Sequence, residues 1–297
     1  MPSGPARRVV YLGTPDVAVP PLRALVESGV DVALVITRIG KRRGRGAALS
    51  PSPVKAAALE MGLPVSHDLA DALTVGADLG VVVAYGRIIP VDVLAHLPMV
   101  NVHFSLLPRW RGAAPVERAL LAGDAETGVC IMRVEEGLDT GVVYDRVHLP
   151  IRPDHTLTTL RNELVQAALS PLVRAVTQGC AAGKPQQGAA THAAKIAPTE
   201  LHISFTMSAR HIVALTKLET AWFVVAGKRV RVLRAEVDAT PSATGVAPGQ
   251  IVGSDARGVR VACGDGVVVL IMVQPEGKTP MSATAWANGA RLPASLA

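Results

Sequence analysis

The sequence predicts an α/β protein, with a Rossmann-like parallel-sheet domain followed by a small OB-like β-barrel domain. Short continuous apolar runs alternate with helical segments over the first 180 residues, as in parallel sheets covered on both faces. A small, polar stretch broken by glycine and proline comes next, and short strands separated by turns follow it. We therefore predict a first domain at residues 1–180, a linker at 181–198 and a barrel domain at 199–297.

The apolar runs of the first domain predict its elements in order. A buried strand at 9–12 ends at the turn Gly13-Thr14-Pro15, and a helix is expected to follow over residues 19–27. Ser52 and Pro53 predict the start of a helix, since serine caps a helix and proline fits its first turn. The basic, glycine-rich stretch between these helices is predicted to be a loop, from residue 38 to residue 50. Further strands are predicted at 32–36, 64–65, 79–83, 100–104 and 129–134.

The last hundred residues have a different sequence pattern, of short apolar runs separated by turn residues. A helix is predicted at 209–218, and short runs with turn residues between them predict strands at 223–225, 230–233, 250–252, 259–262 and 267–272. Five short strands of this kind are typical of a small barrel of the OB type.

Charge and composition limit the partners. A net charge of +6 over 297 residues favours a polyanionic partner such as RNA, although it also serves solubility. Trp, Tyr and Phe occur three times each, too few for an extended platform of stacked bases. The three cysteines form no CxxC pair and the histidines show no ligand spacing, so we expect no metal site. No apolar run is long enough for a membrane span, and a cytoplasmic protein is predicted.

The segment from Asn101 to Gly141 contains the residues that suggest chemistry. Asn101 and His103 lie two apart at a predicted strand end, so their side chains share a face, and Asp139 follows the next strand. Direct acyl transfer to an amine suits such a trio. Asn101 would donate to the developing oxyanion, His103 would donate to it and pass a proton, and Asp139 would orient the imidazole. An Asn-x-His pair also occurs as an ordinary strand end, and Asp-Thr-Gly as an ordinary turn.

Three blocks of sequence carry a family resemblance: NVHFSLLPRWRGAAP with its continuation GLDTG, the opening VVYLGTPDVAVPPLRAL, and the closing QPEGKTPMSATAWANGARL. They resemble the formyltetrahydrofolate-dependent formyltransferase family. The resemblance covers nearly the whole chain and implies that Asn101, His103 and Asp139 are catalytic. It implies 10-formyltetrahydrofolate as the donor and no metal. It also implies two folate-contacting segments, Val83, Ala84, Tyr85, Gly86, Arg87, Ile88 and Ile89, and Ser105, Leu106, Leu107 and Pro108.

The opening and closing blocks resemble the branch that formylates methionine on initiator tRNA for translation initiation. The resemblance implies a monomer that binds Met-tRNA, with the barrel domain contributing to tRNA binding. The basic loop has the family position, the glycine content and the charge of a flexible arm for the tRNA acceptor end, through Arg38, Lys41, Arg42, Arg43 and Arg45. A sugar-nucleotide N-formyltransferase and a formyltetrahydrofolate hydrolase are the alternatives within the family. A non-catalytic RNA-binding module is the alternative outside it.

Overall fold

A computed structural model describes residues 4–42, 49–180, 182–239, 246–290 and 292–296 of the chain. The chain divides into two compact units. Unit 1 comprises residues 1–116, 126–150 and 161–194, and unit 2 comprises residues 117–125, 151–160 and 195–297. Residues 182–194, within the stretch predicted as a linker, therefore belong to unit 1. The predicted domain boundaries remain a prediction.

A seven-stranded sheet forms the centre of unit 1. The strands of the unit are β1 (Arg8–Gly13), β2 (Asp31–Ile36), β3 (Lys41–Arg42), β4 (Leu49–Ser50), β5 (Val65–Ser66), β6 (Leu79–Val83), β7 (Met99–His103), β8 (Arg111–Gly112), β9 (Glu126–Arg133), β10 (Val143–Pro150) and β11 (His192–Ala193). The order in the sheet is β10-β9-β7-β6-β1-β2-β5. The five strands from β5 to β7 are parallel, and β9 and β10 extend the sheet with antiparallel pairing. The predicted Rossmann-like parallel sheet is confirmed.

The helices of the amino-terminal part follow from local sequence signals. Pro20 and Pro21 occupy the first positions of one helix, where a missing N–H costs nothing. The Ser52 hydroxyl accepts a hydrogen bond from the Lys55 amide at 3.0 Å, as the predicted cap requires. The helices are α1 (Val19–Glu27), α2 (Pro53–Glu60), α3 (Val91–His96), α4 (Pro115–Ala122) and α5 (Leu157–Thr177). Both helices predicted here are confirmed, the first with the same bounds.

The basic loop differs from its prediction at both ends. β3 and β4 pair in antiparallel fashion, so that Lys41 opposes Ser50 and Arg42 opposes Leu49. A short ladder therefore closes the base of the predicted loop. Residues 43–48 lie outside the described part of the chain.

Unit 2 is built on an antiparallel half-barrel with the strand order β12-β13-β16-β15-β14, and β17 also pairs with β16. Phe223 packs edge-on against Phe205 and Trp286, with ring centroids 5.3 and 6.0 Å apart, in the core under the sheet. The five predicted strands are confirmed, and the predicted helix is two residues shorter. The elements are α6 (Ala209–Thr216), β12 (Trp222–Val225), β13 (Lys228–Val237), β14 (Ile251–Ser254), β15 (Val259–Ala262), β16 (Val267–Pro275), β17 (Met281–Ser282) and α7 (Ala283–Ala290).

Candidate active site

Asn101, His103 and Asp139 meet at the carboxyl end of β7. Asn101 Nδ2 lies 3.5 Å from Asp139 Oδ1, and His103 Nδ1 lies 3.6 Å from Asp139 Oδ2. His103 is 5% exposed, whereas Asn101 and Asp139 are half-buried. One carboxylate thus faces both an amide donor and an imidazole. Ligands of parallel sheets bind at this edge.

The imidazole of His103 is held from its other side. Its Nε2 donates a hydrogen bond to the backbone carbonyl of Trp110 at 2.9 Å. Because a carbonyl oxygen only accepts, Nε2 must carry the proton of the neutral ring. Nδ1, which faces Asp139, is therefore the nitrogen free to exchange a proton. The close contact that fixes the tautomer comes from Trp110, and the contact with Asp139 is longer.

The Asp139 carboxylate is anchored by a backbone donor. Gly112 N–H donates to Asp139 Oδ2 at 2.8 Å, the shortest contact of this carboxylate. Asp139 has φ of +53° and Trp110 has φ of +62°, both in the left-handed region that non-glycine residues seldom adopt. Such conformations cost about 1–3 kcal/mol each and are common at functional sites. Surrounding contacts must therefore hold both residues in place.

The predicted folate segment from Ser105 to Pro108 forms the turn that leaves β7. Ser105 Oγ donates to the Arg109 carbonyl at 2.6 Å, and the peptide between Leu107 and Pro108 is cis. Ser105 and Leu107 are buried, while Leu106 and Pro108 are half-buried. The half-buried pair is the part of this segment that a ligand can contact through side chains.

The second predicted folate segment, Val83 to Ile89, leaves the carboxyl end of β6. Three of its seven residues are buried, and the other four are exposed. Tyr85 and Ile89 belong to a hydrophobic core cluster, and among the described residues the Tyr85 hydroxyl has no hydrogen-bond partner. Val83 is buried too, whereas the remaining four residues are exposed, namely Ala84, Gly86, Arg87 and Ile88. A ligand at this edge would meet those four.

The predicted tRNA-binding residues are only partly described. Arg38 is exposed, and Lys41 and Arg42 form β3. Arg43 and Arg45 lie outside the described residues. The role of all five remains a prediction.

Burial shapes the chemistry of the cysteines. Burial raises the pKa of the Cys130 thiol, and it raises the pKa of Cys263 to about 11. Neither thiol is therefore activated as a nucleophile.

Within the described part of the chain, no three His, Cys, Asp or Glu side chains are grouped to hold a metal ion. No described helix is long and apolar enough to cross a membrane.

Sequence reasoning missed several residues that support the site. Gln186 and Thr191, in the stretch predicted as a linker, bond to the backbone of Asp139 and Trp110 respectively. The Gly112 amide and the Trp110 carbonyl are backbone groups, so no side-chain motif marks them. The neighbouring arginine, Arg111, stands beside the folate motif, but its position in the sequence does not indicate a role.

The fold and the site together define a formyl transferase. Residues 7–176 match the family described as formyl transferase, and residues 195–291 match the formyl transferase C-terminal domain. The chain therefore belongs to the formyl transferase family.

Within that family the chain is similar to methionyl-tRNA formyltransferases. It is 40% identical to the enzyme of Neisseria meningitidis serogroup C, over 95% of this chain and 97% of the relative. It is 41% identical to the enzyme of Symbiobacterium thermophilum, over 95% and 92% respectively.

Solved structures share the fold at low identity. HypX from Aquifex aeolicus, in complex with tetrahydrofolic acid, aligns with a TM-score of 0.64 and 16% identity, over 95% of this chain and 47% of HypX. An N-formyltransferase from Helicobacter canadensis, in complex with folinic acid and dTDP-3-aminofucose, aligns with a TM-score of 0.64 and 15% identity, over 89% and 98%.

Proposed function

We propose that this chain transfers the formyl group of 10-formyltetrahydrofolate to the amine of methionine on initiator Met-tRNA. The observation that carries the proposal is the convergence of Asn101, His103 and Asp139 at the carboxyl end of β7. Relatives named methionyl-tRNA formyltransferase, about 40% identical over nearly the whole chain, support the choice of acceptor.

The three side chains have complementary tasks in this reaction. The amine nitrogen bonds to the formyl carbon, the bond from that carbon to the folate nitrogen breaks, and one proton passes from the amine to the departing folate. Asn101 Nδ2 donates to the formyl oxygen as it gains negative charge, an interaction worth about 3–4 kcal/mol when preorganised. His103 Nδ1 relays the proton, since Nε2 is engaged by the Trp110 carbonyl. The Asp139 carboxylate stabilises the charge that the imidazole takes up while it holds that proton.

The donor would lie against the two segments that leave β6 and β7. Ala84, Gly86 and Ile88 offer small or apolar contacts at the exposed face of the first segment, and Leu106 does so in the second. The exposed guanidinium of Arg87 has the charge that attracts a folate carboxylate. No covalent enzyme intermediate is required, because positioning and oxyanion stabilisation lower the barrier of an already activated acyl group.

The acceptor would be held by the basic loop and by unit 2. Arg38 and its neighbours through Arg45 supply the charge for phosphate contacts at the acceptor end. We propose further that the enzyme acts as a monomer in the cytoplasm, with a catalytic domain at 1–180, a linker at 181–198 and a tRNA-binding domain at 199–297. Light scattering of the purified chain tests the monomer.

A labelled-donor assay tests the function. Purified protein is incubated with 10-formyltetrahydrofolate labelled on the formyl carbon and, separately, with Met-tRNA, with a dTDP-amino sugar and with buffer alone. The expected result is label on the methionyl amine, absent with an Asp139→Asn variant. Label on the sugar amine would make the chain a sugar N-formyltransferase, and free formate would make it a hydrolase. No release or transfer at all would leave only a binding module.

A further inference from the structure

Gln186 bridges two points of the turn that contains Asp139. Its Nε2 donates to the backbone carbonyl of Asp139 at 2.8 Å and to that of Gly141 at 2.9 Å. Gln186 lies 47 residues away in sequence and is half-buried. Both hydrogens of one side-chain amide are thus used to fix the backbone on either side of Thr140.

Arg111 fixes the orientation of that amide. Its Nε and Nη2 donate to Gln186 Oε1 at 3.0 and 2.7 Å. A guanidinium only donates and a backbone carbonyl only accepts, so the amide oxygen must face Arg111 and the NH2 must face the turn. The reversed amide would lose all four bonds. These four bonds together need an acceptor on one side and two donors on the other, which the side-chain amide of glutamine supplies.

The turn needs such a restraint. The Asp139 backbone is left-handed, with φ of +53°, and would relax toward more populated conformations if released. Relaxation would turn its carboxylate away from the Gly112 amide, which it meets at 2.8 Å. The distances from the carboxylate to Asn101 and His103 would then change as well.

We propose that Gln186 is a positioning residue for formyl transfer, holding Asp139 where its carboxylate faces Asn101 and His103. The proposal rests on the proposed function, in which those three residues act on the formyl group and the amine. The four hydrogen bonds of the Gln186 side-chain amide go to Arg111 and to the turn, so its proposed role is to hold Asp139 and not to contact a substrate. Its loss therefore lowers turnover and leaves the binding of both substrates in place.

Two variants and one control test the proposal. Gln186→Met keeps the length of the side chain and removes both donors. Gln186→Glu keeps the acceptor for Arg111 and turns a carboxylate toward two carbonyl oxygens. Gln187→Glu adds the same charge at the next position, which is exposed. We expect kcat to fall about 10- to 100-fold in both Gln186 variants, as for a displacement of about 1 Å at a catalytic group. KM for 10-formyltetrahydrofolate and for Met-tRNA should change less than twofold, and Gln187→Glu should match wild type.

The pH profile separates positioning from general damage. Acid restores a proton, and with it one donor, to Gln186→Glu, so its kcat deficit relative to wild type should shrink as pH falls. The deficit of Gln186→Met should stay constant. Unchanged kcat in both Gln186 variants would overturn the proposal, as would a loss matched by the fraction of unfolded protein in thermal melts.

Crystal structures of wild type and Gln186→Met give a readout independent of activity. The variant should show the Asp139 carboxylate beyond hydrogen-bond distance from the Gly112 amide, and an undisplaced carboxylate would overturn the positioning role. Should wild type fail to formylate Met-tRNA, the proposed function would fall, and this structural comparison would still decide whether Gln186 holds Asp139.

Discussion

The backbone carbonyl of Trp110 accepts a hydrogen bond from His103 Nε2 at 2.9 Å, and Trp110 reaches that position through a left-handed backbone. The Trp110 amide in turn donates to Thr191 Oγ1 at 2.8 Å. The Trp110 carbonyl, which the Thr191 contact helps to hold in place, therefore occupies Nε2 and leaves Nδ1 as the His103 nitrogen available for proton transfer.

Removal of the Asn101 amide should slow the reaction without weakening substrate binding. We expect Asn101→Ala to lower kcat about 10²- to 10³-fold, because its donor acts on charge that exists only in the transition state. Steady-state kinetics with Met-tRNA and equilibrium binding of 10-formyltetrahydrofolate measure the two effects. Asn162→Ala, an exposed site on α5, is the control. A variant with wild-type kcat would contradict the assigned role.

Asp139→Asn separates the charge of the carboxylate from its shape. Asparagine can still accept from the Gly112 amide, so we expect an unchanged thermal midpoint. Turnover should fall by orders of magnitude, because the neutral side chain no longer stabilises a charged His103. The exposed Glu136→Gln, which removes a negative charge three residues away, should retain activity. If both variants lost the same activity, the cause would be the loss of negative charge near the site and not the particular position of the Asp139 carboxylate.

Gly112 has little room for a side chain. A Cβ at this position would lie 2.9 Å from the Ala193 carbonyl, and φ is +120°. We expect Gly112→Ala to lower the thermal midpoint and to disturb the amide that holds Asp139. Gly188→Ala is the matched control, since Gly188 has φ of +99° and open space where an added Cβ would lie. Similar melting curves and activities for the two variants would show that backbone strain alone decides the outcome.

The Cys263 thiol gives the stability of unit 2 a pH dependence. Burial raises its pKa from an ordinary 9.0 to about 11, so between these values the unfolded chain loses a proton that the folded chain keeps. The associated stability is complete below pH 9 and declines as pH rises toward 11, by ~2 kcal/mol. Denaturant unfolding from pH 8 to 11 should show a steeper decline for wild type than for Cys263→Ala. Parallel curves would refute the assignment.

The basic loop predicts a salt dependence for tRNA binding. Replacement of Arg42, Arg43 and Arg45 by alanine should weaken Met-tRNA binding. It should also reduce the slope of log K against log salt by about 0.7–0.9 for each phosphate that is no longer neutralised. Affinity for 10-formyltetrahydrofolate should not change. A second triple variant is the control, with alanine at three exposed arginines elsewhere, Arg7, Arg8 and Arg23. An unchanged slope would exclude the loop as a phosphate-binding arm.

Much of the fold could be predicted because its signals are local. The five apolar residues of β6 form a buried strand with the predicted bounds, and the Ser52 hydroxyl caps α2. The proximity of Asn101 and Asp139, 38 residues apart, was expected from the meeting of strand ends at one edge of a parallel sheet. In the structure β9 runs antiparallel to β7, and Asp139 reaches Asn101 from the loop that follows β9.

The support of the site could not be predicted in the same way. Gln186 lies in a polar stretch without periodicity, and its partners are backbone carbonyls of a distant turn. Left-handed Trp110 contradicts the preference of a bulky residue, so its carbonyl contact depends on tertiary structure. Because any residue has a backbone carbonyl, the spacing of residues in the sequence does not indicate a hydrogen bond to a distant backbone group.

The division of the chain between its two units has a consequence for its synthesis. Unit 1 uses no residue beyond 194, so all of it is available before residue 195 leaves the ribosome. Residues 117–125 and 151–160 belong to unit 2, and Leu121 among them packs on its core cluster. At a synthesis rate of about 5–20 residues per second, these two segments are made on the order of ten seconds before the rest of unit 2. During translation the nascent chain therefore carries unpaired apolar surface, on which a cotranslational chaperone can act.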